Sequence, residues 1–167
     1  MKRCALSLLL ACLGLTALLL AAGCTSRLRE PVRSTDRLPG VIEAEIWSDH
    51  WHYDFGEPVR VRVTLKNVSR EIQILGGKGE NEGKPAVDIL MRGGIEDYWW
   101  SQAYPDKVKN VVTLKPGKAY VVEWVVTPTL QAQYGFTAWW ADPRPTGFRN
   151  DMGFAILYGV EPPGPLP

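Results

Sequence analysis

The sequence predicts an all-β domain, an antiparallel sandwich of about eight short strands. Three observations carry that prediction. Apolar and polar residues alternate with a period of two through most of the segment from Val41 to Val160, as they do in a strand that buries one face. The alternating runs are short, and clusters of glycine, proline and asparagine part them. No long helical apolar period interrupts them.

The elements follow in chain order. Ile42, Ala44 and Ile46 alternate with Glu43 and Glu45 in a first strand. The run PVRVRVTLKNV, Pro58 to Val68, sets Val59, Val61, Val63 and Leu65 on one face and Arg60, Arg62, Thr64 and Lys66 on the other. Ile72 with Ile74 marks a short strand, and Val87, Ile89 and Met91 mark another. Val111 to Leu114 runs into Lys115-Pro116-Gly117, a turn signal. In KAYVVEWVVTP the inward set is Tyr120, Val122, Trp124 and Val126. In QYGFTAWWAD it is Tyr134, Phe136, Ala138 and Trp140, and MGFAILYGV closes the series. This count and spacing favour an immunoglobulin-like Greek key over residues 41–160. The tail EPPGPLP, 161–167, cannot enter a sheet interior, because proline lacks the amide donor.

The amino-terminal segment has a different logic. Lys2 and Arg3 are followed by an apolar run with no charge until Arg27, the layout of a secretory signal over residues 1–23. A retained membrane helix is the rival reading, but Ala21-Ala22-Gly23 supplies small residues suited to a peptidase, and Cys24 stands directly after them. The stretch LLLAAGC resembles the lipobox of bacterial lipoproteins, with Ala21 where that family usually has leucine. The resemblance implies a diacylglycerol thioether on Cys24, which becomes an acylated amino terminus. The membrane is then the first expected partner. Position 25 is threonine and not the aspartate that retains such proteins at an inner membrane. The location implied is the outer membrane in a Gram-negative source and the outer face of the cell membrane otherwise. TSRLREPVRSTDRLPG, completing the segment 24–40, reads as a polar tether lifting the domain from the lipid.

Charge and cysteine usage narrow the chemistry. The chain has 19 basic and 18 acidic residues; loss of Lys2 and Arg3 leaves 17 basic, so the mature chain has no basic excess and nucleic acid is not an expected partner. Of the 3 cysteines, Cys4 and Cys12 leave with the signal and Cys24 carries lipid, so the mature domain has no thiol for a disulfide, a redox couple or a nucleophile. The histidines are His50 and His52, and no serine lies in a Gly-x-Ser-x-Gly elbow. A hydrolytic triad is therefore not expected, nor an enzyme.

In DHWHYD, an extended backbone would put His50, His52 and Asp54 on one face, a start on a zinc or copper site. No further histidine exists to complete it, so the stretch is read as exposed strand or loop, with no metal or other cofactor expected. GGKGENEGKPA fails as a phosphate cradle, because three residues and not four separate Gly79 from Gly83 and proline follows Lys84.

Tryptophan is the anomaly. The chain has 7, with adjacent pairs Trp99-Trp100 and Trp139-Trp140. Neighbours in a strand face opposite sides, so Trp139 lies outward when Trp140 lies inward. Tyr98, Trp99, Trp139 and Phe148 are the candidate contacts of a binding surface, since flat aromatics concentrate at interfaces and sugar platforms. A protein partner in the cell envelope is the leading reading, and a glycan stays open beside it.

The string YDFGEPVRVRVTLKNVSREIQIL, then TLKPGKAYVVEW and QYGFTAWW, resembles the immunoglobulin-like domain of the intracellular proteinase inhibitor (BsuPI) family. Phe55, Gly56, Glu57, Pro58, Asn67 and Ser69, with Leu114, Pro116, Gly117 and Trp124, occupy the matching positions. These are scaffold positions, so the resemblance implies the fold, and adds proteinase inhibition through an exposed loop as an alternative function. Asn67-Val68-Ser69 reads as turn chemistry and not as a glycosylation site.

Overall fold

The computed structural model describes residues 30–95, 97–144 and 147–160. Cys24 and the 161–167 tail lie outside the described residues. In chain order the strands are β1 (Val32–Leu38), β2 (Ile42–Ser48), β3 (His52–Tyr53), β4 (Val59–Asn67), β5 (Gln73–Gly76), β6 (Val87–Arg92), β7 (Tyr98–Trp99), β8 (Val111–Leu114), β9 (Ala119–Val126), β10 (Ala132–Ala141) and β11 (Phe148–Tyr158). One helical turn, α1 (Trp100–Ala103), follows β7.

Two sheets make the sandwich. One has four strands in the order β1-β2-β4-β9, and the other has five in the order β3-β11-β10-β6-β7. All pairings are antiparallel except β3 with β11. β5 and β8 form a separate two-stranded ribbon. The pairs β4 with β9 and β10 with β6 join strands distant in sequence, as Greek-key connections of an immunoglobulin-like sandwich do.

The period-two runs explain the core directly. Along β4 burial alternates as the sequence does, with Val59, Val61, Val63 and Leu65 inside and Arg60, Arg62 and Lys66 outside. Each buried side chain contributes about 2 kcal/mol by leaving water. In the same sheet they neighbour Val122 and Trp124 of β9, and from the other sheet Phe136 of β10 joins the core, its ring edge-on to Trp124 at 6.1 Å.

Two expectations need correction. Residues 32–38, assigned from sequence to the tether, form β1 and pair with β2 over its whole length. The strand is hidden because its inward positions include Ser34 and Asp36, so no apolar alternation marks it. In β5 the inward residue is Leu75. Ile72, just before the strand, and Ile74 face outward, because pairing Gln73 with Leu114 fixes the opposite phase.

Asp36 earns its inward position through a partner from the other sheet. Its carboxylate accepts two hydrogen bonds from Arg149, 2.7 Å from Nε and 2.9 Å from Nη2, and one from Trp140 Nε1 at 3.2 Å. A bulge makes this contact. Between the pairs Ala138 with Met152 and Trp140 with Arg149, β11 spends one residue more than β10, which puts Arg149 on the inward side where regular pairing would place Asn150. The guanidinium also lies over the Trp140 ring, 5.5 Å from its centroid.

Asn67 performs a similar task at the corner after β4. It is fully buried, yet its amide donates to the Glu71 and Leu114 carbonyls at 2.8 Å and accepts from the Ser69 amide and hydroxyl. The Asn-x-Ser spacing is therefore turn chemistry, as the sequence indicates.

Two outcomes follow for stability. Asn67→Ala orphans the buried Leu114 carbonyl and removes the acceptor of the Ser69 amide and hydroxyl, and should cost about 2 kcal/mol in urea unfolding. Arg149 holds the Asp36 carboxyl below its ordinary value of 3.8, so the stabilisation is complete above that value and fades as the pH falls through the lower native one. Asp36→Asn should lose about 2 kcal/mol at neutral pH and progressively less in acid; an equal loss at both pH values would remove Arg149 as the cause.

Candidate functional site

β7 is two residues long, and its two side chains face opposite sides of the sheet. Trp99 stands opposite Leu90, and Trp139 opposite Asp88, so both indoles lie on the outer face of the five-stranded sheet. Their centroids are 6.1 Å apart with the rings tilted by 58°. Each half-covers the other, and Trp139 Nε1 is buried without a hydrogen-bond partner. Beside them Asp88 accepts from the Ser101 amide at 3.0 Å and hydroxyl at 2.6 Å, which fixes the start of α1. Trp100 begins that helix and is buried.

Tyr98 points the other way and lines a groove of about 770 Å³. The groove lies in the seam between the sheets, where β7 and β9 are edge strands among the described elements. The Gly93-Gly94-Ile95 turn, α1, Tyr104, the end of β9 and residues 127–130 enclose it. Glycine is required at 93, since a Cβ there would sit 2.6 Å from the Tyr134 ring and 2.7 Å from the Gln133 carbonyl at φ +145°. Tyr134 donates to the Leu130 carbonyl at 3.0 Å and so holds the opposite wall. Burial pushes the Tyr134 phenol above its ordinary value. Among the described residues no lining residue is charged, while Ile95 is 86% exposed, Tyr98 47%, and Val125 and Leu130 are exposed as well.

Tyr104 divides the seam. Its hydroxyl donates to the Val125 carbonyl at 3.3 Å, and beyond it a second groove of about 590 Å³ runs along β9 beside Trp100, Lys107, Lys109 and Tyr120. The two ammonium groups cover aromatic faces there, Lys107 over Tyr104 at 4.2 Å and Lys109 over Tyr120 at 5.6 Å. The hollow over β1, β2 and β4 is instead lined by interspersed charges such as Arg37, Glu43, Glu45 and Lys66, an ordinary solvated sheet face.

The four aromatics singled out from sequence thus divide. Trp99 and Trp139 come together, Tyr98 faces the groove, and Phe148 starts β11 opposite Ala141 with the Lys84 ammonium 5.4 Å above its ring. Ile95, Tyr104, Val125 and Leu130 were missed; an isoleucine directly after Gly-Gly was the available signal. The DHWHYD stretch is not extended. It bends at Asp49 and Trp51, and only His52–Tyr53 is strand. His50 Nε2 bonds Glu57 at 3.1 Å, His52 Nε2 bonds the Val160 carbonyl at 3.1 Å, and Asp54 is exposed. Among the described residues no three His, Cys, Asp or Glu side chains are placed to hold a metal ion. Tyr53 organises this corner, sharing a 2.6 Å hydrogen bond with Ser48 and donating to Asp49; burial and then that carboxylate push its phenol well above the ordinary value.

No family model and no curated protein matches the chain. Solved structures that resemble it include a β-glucosidase from Listeria innocua in complex with glucose, 13% identical, with 78% of this chain and 16% of that chain covered at a TM-score of 0.38. Spo0M, a sporulation control protein from Bacillus subtilis, is 14% identical over 73% of this chain and 51% of that one, at 0.44. The C-terminal domain of wzt is 10% identical over 79% and 80%, at 0.42. The chain thus spans a small part of the glucosidase, and all three likenesses are distant and loosely superposed. No helix among the described residues is long and apolar enough to cross a membrane.

If the groove's apolar rim serves contact and not folding, Ile95→Ser and Tyr98→Ser should each move stability by no more than about 0.5 kcal/mol. Trp139→Ala, which also uncovers Trp99, should cost about 2 kcal/mol or more in the same urea titration.

Proposed function

We propose that the chain is a non-catalytic, lipid-anchored protein of the cell envelope whose sandwich binds another protein through the groove at Tyr98, with the Trp99 and Trp139 pair beside it. One observation carries the reading. Among the described residues the groove is a concavity without a charged side chain, at an open sheet edge with exposed apolar residues at its mouth, and contiguous apolar surface of that kind marks interaction sites. An apolar segment of a partner buries there without stranding a charge. The edge amides of β9 allow such a segment to run alongside in extended form.

The anchor rests on Lys2, Arg3, the apolar run and the small residues before Cys24. Kinship with the BsuPI family is supported by Asn67, Ser69 and Trp124 at the corner and core positions that the resemblance implies, and these say nothing of inhibition. A glycan reading draws on the Trp99 and Trp139 pair, but their tilted mutual contact leaves no flat platform of two parallel rings.

Two experiments test the proposal. A photo-reactive phenylalanine analogue placed at Tyr98 in living cells should give a discrete crosslinked protein, absent when the same group replaces Lys115; equal labelling from both sites would defeat the binding reading. Mass spectrometry of the mature protein should find an acylated Cys24 at its amino terminus, and Cys24→Ser should release the chain from the membrane fraction.

A further inference from the structure

The end of the sandwich that carries the groove also receives the chain. Val32 opens β1 opposite Ser48, whose hydroxyl bonds Tyr53, and Tyr53 stands beside Tyr158 at the close of β11. The first strand of the domain begins where its last strand ends. At the same end β6 runs into Gly93 and Gly94, and β10 begins after Leu130 and Gln131.

An apolar rim surrounds this end. Phe55 is 57% exposed, with one edge against Tyr158 at 5.9 Å. Its Cβ and the Gln131 side chain both crowd Gly159, within 3.0 Å of where a Cβ would stand. Leu130 follows, beside Gly94, and Ile95 projects next. The opposite end carries the polar turns Pro39-Gly40 and Lys115-Pro116-Gly117, with Val68 and Ile72 exposed at the corner beside them, among charged neighbours Arg70 and Glu71.

The tether sets which end approaches lipid. Cys24 and Val32 are eight positions apart, a reach of at most about 28 Å. β11, with 11 residues, is about 36 Å long. We propose that Phe55, Ile95 and Leu130 settle into the headgroup region of the membrane that holds Cys24. The domain then stands on this rim with the far turns in water, and a partner reaches the groove from the side, close to the lipid. This inference rests on the anchor reading. Asp54, Glu57 and Asp97 border the rim, the last paired with Arg92 at 3.3 Å, so the contact depends on apolar burial and not on attraction to anionic lipid. It is insensitive to salt.

The mature chain offers no thiol besides the blocked Cys24, so single nitroxide labels on Ile95→Cys and Lys115→Cys report each end. The full-length lipidated protein is reconstituted into vesicles of phosphatidylethanolamine and phosphatidylglycerol. The ratio of relaxation by oxygen to relaxation by a water-soluble nickel chelate should be several-fold higher at 95 than at 115, and unchanged at high salt. Phe55→Asp with Leu130→Asp should bring the ratio at 95 towards that at 115. Protein that floats with the vesicles but shows equal ratios at both sites overturns the inference and leaves the anchor standing. Protein that fails to float overturns the anchor and this inference with it.

Discussion

The Asp36–Arg149 ion pair ties the two sheets of the sandwich together. A two-layer sandwich has two long sides where its sheets can meet, and here one is stitched shut by a carboxylate from β1 bound to a guanidinium from β11, with the Trp140 indole beneath both. Such a contact is worth having only when every lone pair is used, since an unpaired charge at that depth is costly. Asp36 meets the condition with three side-chain donors. The other long side has no equivalent. Among the described residues Tyr104 reaches across it to the Val125 carbonyl, and open hollows lie on either side of that strut.

The same asymmetry explains what the sequence disclosed. β2, β4, β9 and β10 are legible because each buries one face in apolar residues at every second position. β1 is silent because its inward side is built for an ion pair 113 positions away, and no local pattern encodes a partner so distant. The candidate site was half visible. Adjacent tryptophans must face opposite ways, and Trp139 lies on the outer face of its sheet opposite Asp88. That Trp99 would meet it required knowing that β7 and β10 flank β6, which is a matter of topology.

Tyr98 shows the limit more sharply. Its neighbours across the groove, residues 127–130, are some thirty positions further along, and neither stretch is unusual alone. What brings them together is the seam, where the described lining of the hollow beside Tyr98 has no charged side chain. The histidines teach the converse. His50 and His52 attract notice in sequence, and in the structure each is already engaged, one by Glu57 and the other by a backbone carbonyl.

The meeting of β1 and β11 at one end has a mechanical side. A load passing along the polypeptide from the segment before Val32 to the segment after Val160 would cross the molecule at its rim and not travel down the strands. The ladders of the two sheets would bear none of it in shear. A domain strung this way is a pendant and not a link: it can be carried, turned or pressed against a surface, but it is poorly built to transmit tension between two anchored neighbours.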